Sequence, residues 1–289
     1  MAENPVECAG AASQVDLLVQ SLPPLPATAS DLMRLLADEN TPTGRLVDLV
    51  ERDVALASRL VGLANSSFYA LPEPVLNVRD AVVRVLGLDV TRGVIMSAIV
   101  GATLDYRGCR GFQIERFWRE SLLVASLSRS LCLSSSGTLG DHAGTGYLCG
   151  LLLRIGLLGL AAVRPDDLSA VLAEESERPL AARLGAQLGT DHKRVGAAIV
   201  RHWQLPEPLP VVVECSLTPG TDSLEAMLTS VVTLATDMAR HEIEISSHAL
   251  SESPSAADAA SGEFSAAITE VQHETGRLHQ QAQTIAATL

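Results

Sequence analysis

From Gly146 to Val163 every residue is apolar except one, Arg154, which stands near the middle of the run. A stretch of that length and composition either crosses a bilayer or lies inside a protein core. A central arginine costs a spanning helix about 2.5 to 3.5 kcal/mol. The run is therefore predicted to be a buried core helix, with no membrane insertion, stopped by Arg164-Pro165.

The surroundings of such a helix follow from what else the chain can pack. Apolar residues make up 47% of the sequence while Phe, Tyr and Trp reach only 3%, so the core must be built from aliphatic helix faces. The apolar period is helical throughout and alternates nowhere, which predicts an all-α fold.

After a flexible start over residues 1–14, short helices are predicted over 12–21, from a Thr28 cap to Asn40, and after Thr41-Pro42. Others follow from Asp53 through Ala64, from Asn77 and from Asp89 to about Leu104. Asp105 to Phe112 contains Gly108 and Gly111 and is expected to be a boundary or an exposed turn. Beyond it come helices over Ile114–Leu133, up to Val163, Asp166–Glu175, Pro179–Leu188, Asp191–Trp203 with Thr190 as cap, Val211–Leu217 and Ser223–Ile245. The expected organisation is an N-terminal subdomain over 15–106, a second helical subdomain over 112–246, and a low-complexity or weakly helical tail over 247–289.

Charge and cysteine usage narrow the function. A net charge of -13 repels phosphate backbones, so no nucleic-acid partner is expected. Cys8, Cys109, Cys132, Cys149 and Cys215 are scattered, odd in number and form no CxxC pair, which predicts reduced thiols. Met1-Ala2-Glu3-Asn4-Pro5 shows no basic region followed by an apolar run, hence no secretory signal and a cytoplasmic location.

Several segments resemble one family. Leu22-Pro23-Pro24-Leu25-Pro26, the run Asp53 to Tyr69 with its Ala64-Asn65-Ser66-Ser67-Phe68-Tyr69 signature, Val78 to Gly87, and Phe117-Trp118-Arg119-Glu120-Ser121 are similar to the bacterial HDOD domain. Gly189 to Ala197 and Trp203-Gln204-Leu205-Pro206-Glu207 extend the likeness, which covers about residues 15–240. HDOD domains are divergent relatives of the HD phosphohydrolases, so the resemblance implies a two-lobed helical domain with a degenerate HD-like bundle.

Catalytic HD proteins gather histidines and aspartates around one or two metals that activate water. Where the resemblance puts those ligands, this chain has Glu120 for a histidine, Leu153 and Arg154 for the His-Asp pair, Leu157 for a lysine, and Ser216 with Leu217 for adjacent histidines; His192 keeps its position. No metal, no cofactor and no catalytic residue are expected. Arg154 is expected to replace the metal's charge, pairing with Glu120 or another carboxylate, while Leu153 extends the core.

Asn65, Ser66, Phe68 and Tyr69 read either as a partner surface between the lobes or as a helix stop with aromatic plugs. Asp141 and His142 lack a third ligand at useful spacing, and His202 with Trp203 reads as helix capping and packing.

The leading expectation is a non-catalytic signalling adaptor whose partner is a sensor kinase, receiver or cyclic-dinucleotide protein, or a second copy in a homodimer. The resemblance places such domains beside signalling modules; here the partner is expected in trans. The alternatives are a small-ligand or nucleotide sensor using the degenerate pocket, and a metal-dependent phosphohydrolase.

Overall fold

The structure, a computed structural model, describes residues 15–24, 29, 32, 35–36, 38, 41–135, 138–176, 178–214, 223–247 and 271–288. All regular structure among them is helical. After a helical stretch over residues 15–20, the labelled elements are α1 (Thr43–Glu51), α2 (Val54–Ala64) and α3 (Val78–Thr103). Then come α4 (Ile114–Ser134), α5 (Ala143–Leu152), α6 (Ile155–Val163), α7 (Pro165–Ala173) and α8 (Leu180–Leu188). The chain continues through α9 (His192–His202), α10 (Leu209–Glu214), α11 (Leu224–Ser247) and α12 (Thr275–Ala286).

Local chemistry sets several of these starts. The Asp53 carboxylate accepts from the Ala55 and Leu56 amides, and the Asn77 side chain accepts from the Asp80 amide. Pro42 lies just outside α1, at the cap position. The cap of α9 is Asp191 and not Thr190: its carboxylate accepts from Lys193 and Arg194, and an anion suits a helix N-terminus better than a hydroxyl.

Two predicted helices fuse. The helix begun by Asn77 does not stop for Asp89 to cap another; it runs on to Thr103 through a π-helical turn over Ala81–Leu86. Gly87, with φ of 77°, takes the change of course at the join. Asp89 instead pairs with Arg129 of α4 and lies 3.8 Å from Arg92, whose guanidinium donates to the Asp38 carbonyl at 3.0 Å. The charge that sequence alone assigns to a cap thus ties α3 to α4.

Conversely, the apolar run is two helices. The chain turns at Leu153 and Arg154, between α5 and α6. The helical span Thr138–Val163 that contains them is long and apolar enough to cross a membrane, yet 83% of its most apolar stretch is buried inside the protein. That is the environment of a core helix.

α4 is the axis of the larger part of the molecule, with Leu122, Leu123, Ala125, Leu127 and Leu131 fully enclosed. It packs on α5, α11 and α12. Gly150 of α5 permits the first contact, since a Cβ there would stand 2.8 Å from the Ala125 Cα. Buried apolar residues from Val15 to Ala286 form one continuous cluster. The glycine-bearing connection after α3 is held against it: the Arg110 amide donates to Ser169 Oγ at 2.8 Å, and Tyr106, Phe112, Phe117 and Trp118 form a chain of ring contacts.

The tail differs from a loose or weakly helical one wherever it is described. In α12, Leu278, Ala282 and Ile285 bury one face against α4. Residues 248–270 lie outside the described residues.

Candidate functional site

Glu120 projects from the second turn of α4 and is 6% exposed. An isolated carboxylate at that depth would be costly, so its partners decide what it can do. Arg116, one turn earlier, donates through Nε to Oε1 at 2.7 Å, and Arg154 Nη1 pairs with Oε2. Each carboxylate oxygen therefore faces its own guanidinium.

The break between α5 and α6 is what brings Arg154 here. Leu153 and Leu157, to either side, are 6% and 4% exposed and add apolar wall. Burial holds the Arg154 pKa down to about 10, and the like charges of Arg116 and Arg240 push the same way. Two guanidinium groups thus share one carboxylate, with a third, on Arg240, close enough to repel Arg154.

The opposite wall is the start of α9. Gly156 of α6 and Gly196 of α9 let the helices meet backbone to backbone; a Cβ on Gly156 would collide with the His192 carbonyl and lie 2.6 Å from the Gly196 nitrogen. His192 Nδ1 is buried with no hydrogen-bond partner among the described residues. Burial lowers the His192 pKa to about 4; Asp191 opposes the shift, and Arg154 and Lys193 reinforce it.

A pH dependence follows. The ring is neutral in the folded protein near neutrality and binds its proton more readily in the unfolded chain, whose histidines titrate near 6.5. Its effect on stability is thus fully favourable above pH 6.5 and is lost as pH falls toward about 4. H192N should flatten the denaturation midpoint across that window, and an unchanged slope would refute the assignment.

Glu120, Leu153, Arg154, Leu157 and His192 line one cavity of about 620 Å³, closed by Lys193 and by Thr233, Asp237 and Arg240 of α11. A smaller chamber of about 370 Å³ shares Arg116, Glu120, Arg154, Leu157 and Leu180 and adds Arg183. Ser216 and Leu217 lie outside the described residues. Arg116, Lys193, Asp237 and Arg240 were not singled out from the sequence, although Arg116 stands at i−4 from Glu120, the spacing of a helical ion pair.

These residues do not suit a divalent metal. Glu120 has both oxygens committed to arginines, Asp237 faces Arg240 at 3.2 Å, and among the described residues His192 is the one imidazole of the cavity. Among the described residues no group of three or more His, Cys, Asp or Glu is placed to hold a cation. Asp141 and His142 end a 3-10 turn, and His202 sits exposed at the end of α9 beside buried Trp203. Cys109, Cys132 and Cys149 are buried thiols.

The Asn65 to Tyr69 segment is occupied differently. The Asn65 carboxamide donates to the Val75 carbonyl and accepts from the Val75 amide, both at 2.8 Å, which closes the loop after α2. Phe68 and Tyr69 meet edge to face, and the Tyr69 hydroxyl accepts from Gln281 of α12 at 3.0 Å. Ser66 is half-buried, with its Oγ enclosed. α12 thus reaches from α4 to the segment where a partner surface was expected.

Comparison with known proteins agrees with this architecture. The fold is shared with a candidate signal transduction protein of Marinobacter aquaeolei VT8, at 25% identity and a TM-score of 0.75, over 96% of this chain and 65% of that one. It is also shared with a candidate phosphohydrolase of Shewanella amazonensis, at 22% identity and a TM-score of 0.71, over 96% and 98% of the two chains. An HDOD domain protein of unknown function from Geobacter sulfurreducens aligns at 19% identity and a TM-score of 0.73, over 96% and 99%. An uncharacterized protein of Treponema pallidum is 27% identical over 195 residues, which are 66% of this chain but 36% of that protein. The chain therefore spans only about a third of that relative and less than two thirds of the Marinobacter one. The HDOD domain model matches residues 22–219, well over half of the sequence, and the protein belongs to the HDOD domain family.

Proposed function

We propose that this protein is a non-catalytic regulatory domain of bacterial signalling, acting by binding and not by hydrolysis, in the reducing environment of the cytoplasm. The observation that carries the reading is the Glu120 carboxylate held between Arg116 and Arg154. The resemblance puts metal ligands at Glu120, Leu153 and Arg154; in their place stand a carboxylate bound by two arginines and an aliphatic wall. Arg154 supplies fixed positive charge without an open coordination position, so no water is activated.

The similarity to a candidate signal transduction protein supports the regulatory half of the proposal. The partner is then another signalling protein, a sensor kinase, receiver or cyclic-dinucleotide protein, or a second copy of this chain. The edge formed by Asn65, Ser66, Phe68 and Tyr69 is the proposed contact, and a partner there competes with or includes α12, because Gln281 already engages Tyr69.

Purified protein should show no hydrolysis of p-nitrophenyl phosphate or bis-p-nitrophenyl phosphate with Mg²⁺, Mn²⁺, Co²⁺ or Fe²⁺, and less than 0.1 metal per chain by elemental analysis is expected as an order-of-magnitude figure, about that of adventitious binding. Metal-dependent turnover that disappears in H192A or E120A would overturn the reading.

A further inference from the structure

The two chambers around Glu120 carry far more positive than negative charge. Among the described residues Arg116, Arg154, Arg183, Lys193 and Arg240 line them against Glu120 and Asp237, in a chain whose net charge is -13. An acidic protein that gathers cations around one pair of open cavities has concentrated a field of the opposite sign there.

The internal pairs leave part of that field unspent. Glu120 is shared by two arginines, and Arg240 shares a half-exposed Asp237. Arg183 donates to the Val171 and Glu174 carbonyls at 2.6 and 3.0 Å, which leaves its charge unneutralised. Among the described residues the Lys193 ammonium has no ion-pair partner. The repulsion that Arg116 and Arg240 exert on Arg154 would be relieved by one more anion.

The rest of the wall is mostly hydrocarbon, from Val124, Leu153, Leu157, Leu180 and Ile243, with Thr233, Thr236 and neutral His192 as its uncharged polar groups. Its larger chamber, about 620 Å³, falls in the size range of small-molecule sites, and a few charged groups set in an apolar lining is the usual composition of such sites.

Resting on the non-catalytic reading of this cavity, we infer that it is a receptor for a small organic anion, a molecule with a phosphate or carboxylate group on an apolar body. The anion lies among Arg154, Lys193 and Arg240, and the body lies along Leu153, Leu157 and Ile243. Binding bridges the α5–α6 turn, the start of α9 and α11, so occupancy stiffens the junction of three elements and gives the domain a ligand-dependent state.

The test uses calorimetric titration of the full chain with phenyl phosphate, phthalate and uncharged benzyl alcohol. At least one of the two anions should bind one to one, and at least tenfold more tightly than benzyl alcohol; which of them binds distinguishes a phosphate from a carboxylate ligand. The double variant K193A/R240A should weaken that binding tenfold or more. Arg240 is 64% exposed, so folding is expected to persist, and circular dichroism checks it. R164A, whose partner is Asp167 outside the cavity, should bind as the unaltered chain does. Should the double variant fold poorly, R240Q replaces it, with at least threefold weakening expected.

No binding of either anion overturns the inference, as does binding that K193A/R240A, or R240Q in its place, leaves intact, or that R164A weakens equally. A negative result with no phosphoester turnover defeats the receptor alone, whereas turnover defeats the non-catalytic reading beneath it.

Discussion

G156A should lower the stability of the protein by about 3 kcal/mol or more, near the top of the range for overpacking a core by one methyl. The reason is the identity of the atoms in the way. A Cβ at Gly156 meets the His192 carbonyl and the Gly196 nitrogen, both backbone, so no rotamer change relieves it. α6 and α9 would have to separate, and the apolar contacts of Val195 and Ile199 with α6 would open together. For a chain of this size the loss corresponds to roughly 6 to 12 °C in melting temperature. G62A is the matched control: the space around Gly62 is empty within 4 Å, and the position lies inside α2. It should stabilise by about 0.5 to 1 kcal/mol, because alanine loses less backbone entropy in a helix. Urea denaturation of both proteins decides the matter, and equal midpoints would mean that the two helices do not meet at Gly156.

Removing one side of the Glu120 cluster should be nearly as harmful, and unequal between the two sides. E120A takes from Arg116 and Arg154 the carboxylate they share, beside an Arg240 that only the half-exposed Asp237 offsets, and about 3 kcal/mol is expected, the lower end for breaking a buried pair. R154A still leaves Arg116 on the carboxylate, and the Arg154 side chain is 30% exposed, so about 1 to 2 kcal/mol is expected. The double variant E120L/R154M should regain most of the loss, since a buried ion pair exchanged whole for apolar side chains is often neutral. Urea denaturation of the three proteins measures this, and R154A more damaging than E120A would reverse the account of which group organises the site.

The helical class and most element positions were legible because the stripes that specify them are local. Leu46 and Val50, or Leu56, Leu60 and Leu63, define a buried face within a few turns. The pairing of Glu120 with Arg154 was legible for a different reason: the resemblance puts both at positions that converge on a metal in catalytic relatives, although it left another carboxylate open as the partner. What sequence left hidden depends on contacts between distant residues. Asp89 looked like a cap because its partner, Arg129, is forty residues away on another helix. The break at Leu153 and Arg154 hides in a run apolar on both sides of the arginine, with neither a proline nor a polar cluster to mark a turn. In the tail, Leu278, Ala282 and Ile285 hold an i, i+4, i+7 spacing that Gln and Thr neighbours dilute; it becomes meaningful only beside the flank of α4 that receives it.

The docking of α12 also bears on how the chain is made. During synthesis α4 leaves the ribosome long before residues 275–286 exist, and Tyr69 waits across 212 positions for Gln281. The flank of α4 that α12 covers stays bare for that interval, which exposes apolar surface to chaperones and to other nascent chains. The docking of α12 is therefore a late step of folding: a chain cut short before residue 275 keeps that side of α4 open to other surfaces.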